Sequence, residues 1–251
     1  MLIVGVIPAR YASTRLEGKA LKDIHGKPMI QYVYELARRA KCLADVIVAT
    51  DDVRIQKAVE GFGGRVAMTS SQHVTGTDRV AEVAANLDAD VVVDIQGDEP
   101  LLDPMVIDEC ILPFSWNPPA EIATVMKRVP EESSYSDPAV VKVVHDLSGR
   151  ALYFSRSLLP FPRNRTADFK VYEHLGVYAF TKDALLKFSR LAPTSLELIE
   201  GLEQLRALEH GMAIHVVETR CQCELVSVDT PADLERVRQI MAASANKKGT
   251  E

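Results

Sequence analysis

The chain has 251 residues, 47% of them hydrophobic and 25% charged, with a formal net charge of −6. That length suits one large α/β domain or two small ones, and either buries a real core. The acidic balance excludes a protein whose whole surface attracts polyanions, and no apolar run approaches the ~20 residues of a membrane span, so neither nucleic acid nor membrane is expected as a partner.

The N-terminal apolar stretch, residues 1–7, is short and stops at Pro8 rather than at a cleavage site. A cytoplasmic location is therefore expected. Residues 2–7 read as a buried parallel strand, followed by a polar loop to residue 27. After Pro28, Ile30, Val33, Leu36, Ala37 and Ala40 form a helical stripe. Residues 45–50 are the next strand, and Asp51 or Asp52 is placed to cap a helix carrying Ile55, Val59 and Phe62. Gly63 and Gly64 end that helix before a short strand at 66–68. The segment from Thr75 to Asp78 opens a third helix, and residues 91–95 make a fourth strand.

The second half is less regular. Strands are expected at 122–129, 140–145, 151–154, 175–180 and 214–218. One long helix is expected over 195–208, and a last helix begins at Pro231. Residues 160–168 read as a polar loop. Without repeat or linker, one domain over 1–244 is expected, with a disordered tail at 245–251. Cys42, Cys110, Cys221 and Cys223 are expected to be reduced thiols, since the one-residue gap between the last two fits neither a zinc knuckle nor a redox CxxC.

Strands alternating with helices through the first hundred residues imply a parallel sheet covered on both faces, with ligands at the carboxyl ends of its strands. Two loops there carry suitable chemistry. Residues 8–19, after the first strand, hold Arg10, Arg15 and Lys19 among small residues, which together can cradle and neutralise an anion. The spacing is neither a Walker A loop nor a dinucleotide fingerprint, which weighs against an oxidoreductase. Gln96-Gly97-Asp98-Glu99-Pro100 follows the fourth strand; opposite a triphosphate, Asp98 suits Mg²⁺. Asp229, before the helix at Pro231, is a further acid. Arg156 can pair with a substrate carboxylate, and His174, Tyr178, Glu203 and Gln204 complete a polar set in the second half. Taken alone, each of these also has a plain reading: a basic surface loop, a turn, a solvated helix face.

Together the segments 7–16, 18–19, 48–52, 68–70, His73, 76–79, 96–100, 151–156, 174–178, 202–206 and 228–231, in this order, resemble the 3-deoxy-manno-octulosonate (Kdo) cytidylyltransferases. The resemblance implies an α/β Rossmann-like nucleotidyltransferase fold. Its sheet would be mixed and mostly parallel, flanked by helices, with a smaller sheet and dimerisation elements in the second half. It also implies a homodimer that makes CMP-Kdo and pyrophosphate from CTP and Kdo, for lipopolysaccharide synthesis. A related acidic sugar, 8-amino-Kdo or a sialic acid, is the alternative acceptor, and a nucleotide sensor on the same fold is a non-catalytic rival. By the resemblance, Arg10 and Lys19 bind the triphosphate with Ser13 and Arg15, while Ala9, Ser70, Arg79 and Gln96 line the cytidine pocket. Asp98 and Asp229 hold Mg²⁺, which makes Arg10, Lys19, Asp98 and Asp229 the catalytic set. Arg156, His174, Tyr178, Glu203 and Gln204 bind the sugar acid. The family usually has proline where this chain has Glu17 and Ala20, so a looser first loop is expected.

Overall fold

The computed structural model describes residues 1–12, 15–130, 132–164, 169–222 and 225–248. The chain divides into two compact units, Met1–Met105 with Cys221–Glu251, and Val106–Arg220.

The first unit opens with β1 (Ile3–Ala9), a small hairpin β2 (Asp23–Ile24) and β3 (Lys27–Pro28), and α1 (Met29–Ala37). It continues through β4 (Asp45–Thr50), α2 (Val53–Gly61), β5 (Arg65–Met68), α3 (Gly76–Ala85) and β6 (Val91–Asp94). Its sheet runs in the order β6-β1-β4-β5, every neighbouring pair parallel, with Val6 opposite Asp94 and Ala9 opposite Thr50. The aliphatic β1, β4 and β6 are buried almost throughout, as strands covered on both faces must be. Helix starts follow local chemistry. Asp52 accepts from the Arg54 amide at 2.8 Å to cap α2, and Thr75 and Asp78 form a reciprocal capping box on α3.

The chain then passes through α4 (Pro104–Cys110) into the second unit. There follow β7 (Ile122–Arg128), β8 (Lys142–His145), β9 (Ala151–Ser155), β10 (Tyr172–Thr181), α5 (Lys182–Phe188), α6 (Ser195–Glu200), α7 (Gln204–Glu209) and β11 (Ile214–Glu218). β11 pairs with β7 in parallel, whereas the β7–β10, β10–β8 and β8–β9 pairs are antiparallel. Parallel and antiparallel pairs with flanking helices make the mixed α/β architecture expected. The small separate antiparallel sheet, β2–β3, lies in the first half of the chain rather than the second.

The helix expected over 195–208 is two helices. Gly201 takes the left-handed conformation at φ 62° and ends α6. The reversal lets Arg206 reach back to Glu197, with Nε–Oε2 at 2.9 Å and Nη2–Oε1 at 2.5 Å, a buried bidentate pair. Helices α4 and α5 and the β2–β3 hairpin are elements that the sequence pattern did not reveal.

The chain ends in α8 (Pro231–Lys248), back in the first unit. Residues 245–248, expected to be disordered, continue the helix, and 249–251 lie outside the described residues. Leu234 and Val237 of α8 pack in one cluster with Leu16, Ile24, Met29, Val226 and Val228. That cluster fixes the end of the basic loop and the approach to Asp229. Cys42 and Cys110 are thiols, as expected, but Cys221 is disulfide-bonded, and Cys223 lies outside the described residues.

Candidate active site

A cleft of about 270 Å³ opens in the first unit at the carboxyl ends of β1 and β6. The loop after β1 brings Ala9, Arg10, Arg15 and Lys19 to it; the loop after β6 brings Gln96 and Asp98; Asp229 arrives just before α8. The Lys19 ammonium lies 2.6 Å from Asp98 and 3.1 Å from Asp229, and Arg15 lies 2.9 Å from Asp229. Residues 79 and 210 positions apart in sequence thus converge on one cation. Close approach of the two strand loops depends on Gly97, where a Cβ would sit 2.8 Å from the Pro8 carbonyl oxygen.

The basic loop is braced at both ends. The Gly18 amide, at φ 63°, donates to the Tyr11 carbonyl at 2.9 Å. The Arg54 guanidinium covers the Tyr11 ring, 3.2 Å from its centroid, and Asp52 holds it with bonds of 2.9 and 2.7 Å. Ala20 is buried in a 3-10 turn, Lys19–Leu21. These contacts lie on either side of Glu17.

Arg79 also lines the cleft, but its guanidinium is buried and committed to Asp51 at 3.3 Å and to the Thr69 hydroxyl. The Gln96 amide is oriented: a carboxylate only accepts, so the 3.0 Å contact with Asp94 places the NH₂ toward it. Ser70 is not on the cleft wall; its amide donates to Glu82 at 2.9 Å. That bond and the neighbouring His73 hold the Glu82 carboxyl below the usual carboxylate range. Ser13 lies outside the described residues.

The second unit gathers the remaining predicted residues. The Arg156 guanidinium donates to the carbonyls of Glu200 and Pro138, both at 2.8 Å. Glu203 stands at the head of α7, 3.7 Å from Arg206. Gln204 is 93% buried, and its Nε2 has no hydrogen-bond partner among the described residues. His174 and Tyr178 share a face of β10, ring centroids 5.2 Å apart. Dense packing pushes His174 down to about 3, so its imidazole is neutral at pH 7.

Several supporting residues escaped sequence reasoning. Tyr11 and Arg54 brace the basic loop, and Thr75 and Gly76 line the cleft. Lys142 is fully buried, its ammonium donating to the carbonyls of Asp137 at 2.8 Å, Val140 at 2.7 Å and Arg156 at 2.5 Å. Burial lowers its pKa. The one signal in the sequence is a charge in an otherwise apolar stretch, Val140 to Val144.

Comparison with known proteins shows the family. The cytidylyltransferase family model matches residues 4–214. The 3-deoxy-manno-octulosonate cytidylyltransferase of Geobacter sulfurreducens is 53% identical over 94% of this chain and 98% of its own. That of Solibacter usitatus is 50% identical over 96% and 95%. A solved structure of CMP:2-keto-3-deoxy-manno-octonic acid synthetase complexed with CTP superposes with a TM-score of 0.91 at 42% identity, covering 97% of this chain and 100% of that one. The chain, with its basic loop, two convergent acids and polar second-unit set, therefore belongs to the 3-deoxy-manno-octulosonate cytidylyltransferase family.

Proposed function

We propose that the chain transfers CMP from CTP to Kdo, releasing pyrophosphate. One observation carries the reading. Cations of the loop after β1 meet Asp98 and Asp229 in a single cleft, in a chain 53% identical to a protein of that name. Arg10, Arg15 and Lys19 supply positive charge where a triphosphate lies, and offset the charge that builds on the departing pyrophosphate. Gln96, turned by Asp94, presents its amide to the base. The hydroxyl of the sugar attacks the α-phosphorus in line, and the protein's contribution is positioning. No side chain is assigned as a general base.

The donor set fits a divalent ion. Two carboxylates that converge on one ammonium in the free protein can converge on a hard cation that completes its shell with phosphate oxygens and water. No cluster of three His, Cys, Asp or Glu exists among the described residues, so the protein's share would be these two acids. Mg²⁺ held by Asp98 and Asp229 would act as a Lewis acid on the α-phosphate.

For the sugar acid, support comes from Gln204, whose buried Nε2 has no hydrogen-bond partner among the described residues, and from the neutral His174 beside Tyr178. We also read the protein as a cytoplasmic homodimer serving lipopolysaccharide synthesis. No helix among the described residues is long and apolar enough to cross a membrane. On α6, Leu198 is 71% exposed and Ile199 80%, an apolar surface suited to a second copy, which light scattering of the 27.7 kDa chain would detect.

The test is pyrophosphate release with each of the four nucleoside triphosphates, with and without Kdo. Release that requires both CTP and Kdo is expected. Preference for ATP, or release independent of the sugar, would overturn the assignment.

A further inference from the structure

We propose that Thr124 is a positioning residue that fixes the Nε2–H tautomer of His174 and so leaves Nδ1 as a bare acceptor for a hydroxyl of the sugar acid. The inference rests on the reading of His174 as part of the sugar site.

The argument begins with the β7–β10 register. Leu175 lies opposite Val125 and Tyr178 opposite Thr124, so three steps along β10 answer one step along β7. This bulge keeps His174, Tyr178 and Thr124 on one face. It also turns two β10 carbonyls toward the fully buried Thr124 hydroxyl. Thr124 Oγ1 lies 2.7 Å from the Val177 carbonyl oxygen, 3.2 Å from that of Leu175 and 3.0 Å from His174 Nε2.

A hydroxyl has one proton to give, and carbonyl oxygens only accept. The shortest contact, to Val177, takes that proton. What Thr124 then offers His174 is a lone pair, so Nε2 must carry the hydrogen. A bare Nε2 would place two acceptors 3.0 Å apart in a buried site, the costly arrangement of an unmade bond. The ring is held on its other sides by Phe154, edge-on at 5.1 Å, and by Tyr178 at 5.2 Å. Nδ1 has no hydrogen-bond partner among the described residues. Because packing disfavours the imidazolium, Nδ1 stays unprotonated and can accept from a hydroxyl but donate to none.

The experiment is ¹⁵N-histidine NMR on the full-length protein at pH 7, with the His174 signals assigned through His174→Gln. It is paired with steady-state kinetics of Thr124→Val and Thr124→Ser. The proton of wild-type His174 is expected on Nε2, and Thr124→Ser should keep it there. Thr124→Val removes the hydroxyl at nearly constant shape. It should populate Nδ1–H and raise KM for Kdo about fivefold to tenfold, the loss of one ordinary hydrogen bond, while KM for CTP stays within about twofold. A wild-type proton on Nδ1, read without any variant, would overturn the proposal. So would an unchanged tautomer in Thr124→Val. A shifted tautomer with unchanged KM for Kdo would overturn the positioning role and remove His174 from the sugar site. Absence of CTP- and Kdo-dependent turnover in the wild type would instead refute the proposed function, leaving the NMR result standing.

Discussion

Gly97→Ala perturbs the cleft by one methyl group. The new Cβ would lie 2.8 Å from the Pro8 carbonyl oxygen, 3.5 Å from Ile7 Cγ2 and 3.7 Å from Ile30 Cδ1. Only the first contact is impossible, but it is with backbone that cannot rotate away. Pro8 sits in β1, in register with Ala49 of β4, so β1 is held on that flank. The loop after β6 must therefore give, by roughly 0.2–0.6 Å, to reach an ordinary contact. Overpacking of this kind costs about 1–3 kcal/mol. At about 2–4 °C per kcal/mol for a chain of this size, Tm should fall by several degrees. The displaced loop carries Gln96 and Asp98, and a misplacement of about 1 Å costs a catalyst ~100-fold. A shift of half that should lower kcat/KM for CTP by about tenfold. Thermal melting and pyrophosphate release measure the two effects. Gly61→Ala is the control, since nothing lies within 4 Å of a Cβ there. Wild-type stability and activity in Gly97→Ala would refute the reasoning.

Asp98→Asn removes one of two carboxylates on the Lys19 ammonium while Asp229 remains at 3.1 Å. The fold should persist, with circular dichroism unchanged, and pyrophosphate release should be abolished; near-normal release would exclude Asp98 from the chemistry. Arg206→Met strands the buried Glu197 carboxylate. Since Glu197 still accepts from the Thr194 amide at 3.1 Å, a loss of about 3 kcal/mol in urea unfolding is expected, the low end for a broken buried pair. For His174, the folded pKa of about 3 lies below the ordinary imidazole value of 6.5, so the unfolded chain binds the extra proton first. Its contribution is full above pH 6.5 and is lost as pH falls toward 3, at up to about 1.4 kcal/mol per pH unit. Relative to wild type, His174→Gln should show a shallower loss of stability between pH 6.5 and 4; parallel curves would contradict the buried neutral imidazole.

Much of the first unit is legible in the sequence. Residues 45–50 are Asp45–Thr50 in the structure, and the caps at Asp52 and Thr75 hold. These signals are local: aliphatic runs, a side chain that meets an amide two or three residues on, a proline that stops a strand. The cleft was legible too, because a parallel sheet puts its loops at one edge, and because the motifs resembled a known family across the chain. The continuous helix over 195–208 was not what formed. Gly201 stands amid good helix formers, and what makes its left-handed turn favourable is Glu197 meeting Arg206, a contact visible only once the chain has turned.

The sequence by itself determined the alternation of β1, α1, β4, α2, β5, α3 and β6 in the first unit and the residue types of the clamp, since both follow from short-range pattern. Only the tertiary structure decided that Lys19 lies between Asp98 and Asp229, 79 and 210 positions away. It also decided that Gly97 must lack a side chain, that Tyr11 lies under Arg54, and that the Thr124 hydroxyl faces His174. Each is a contact between separate elements. Strand register and loop approach set it, and no periodicity along the chain encodes it.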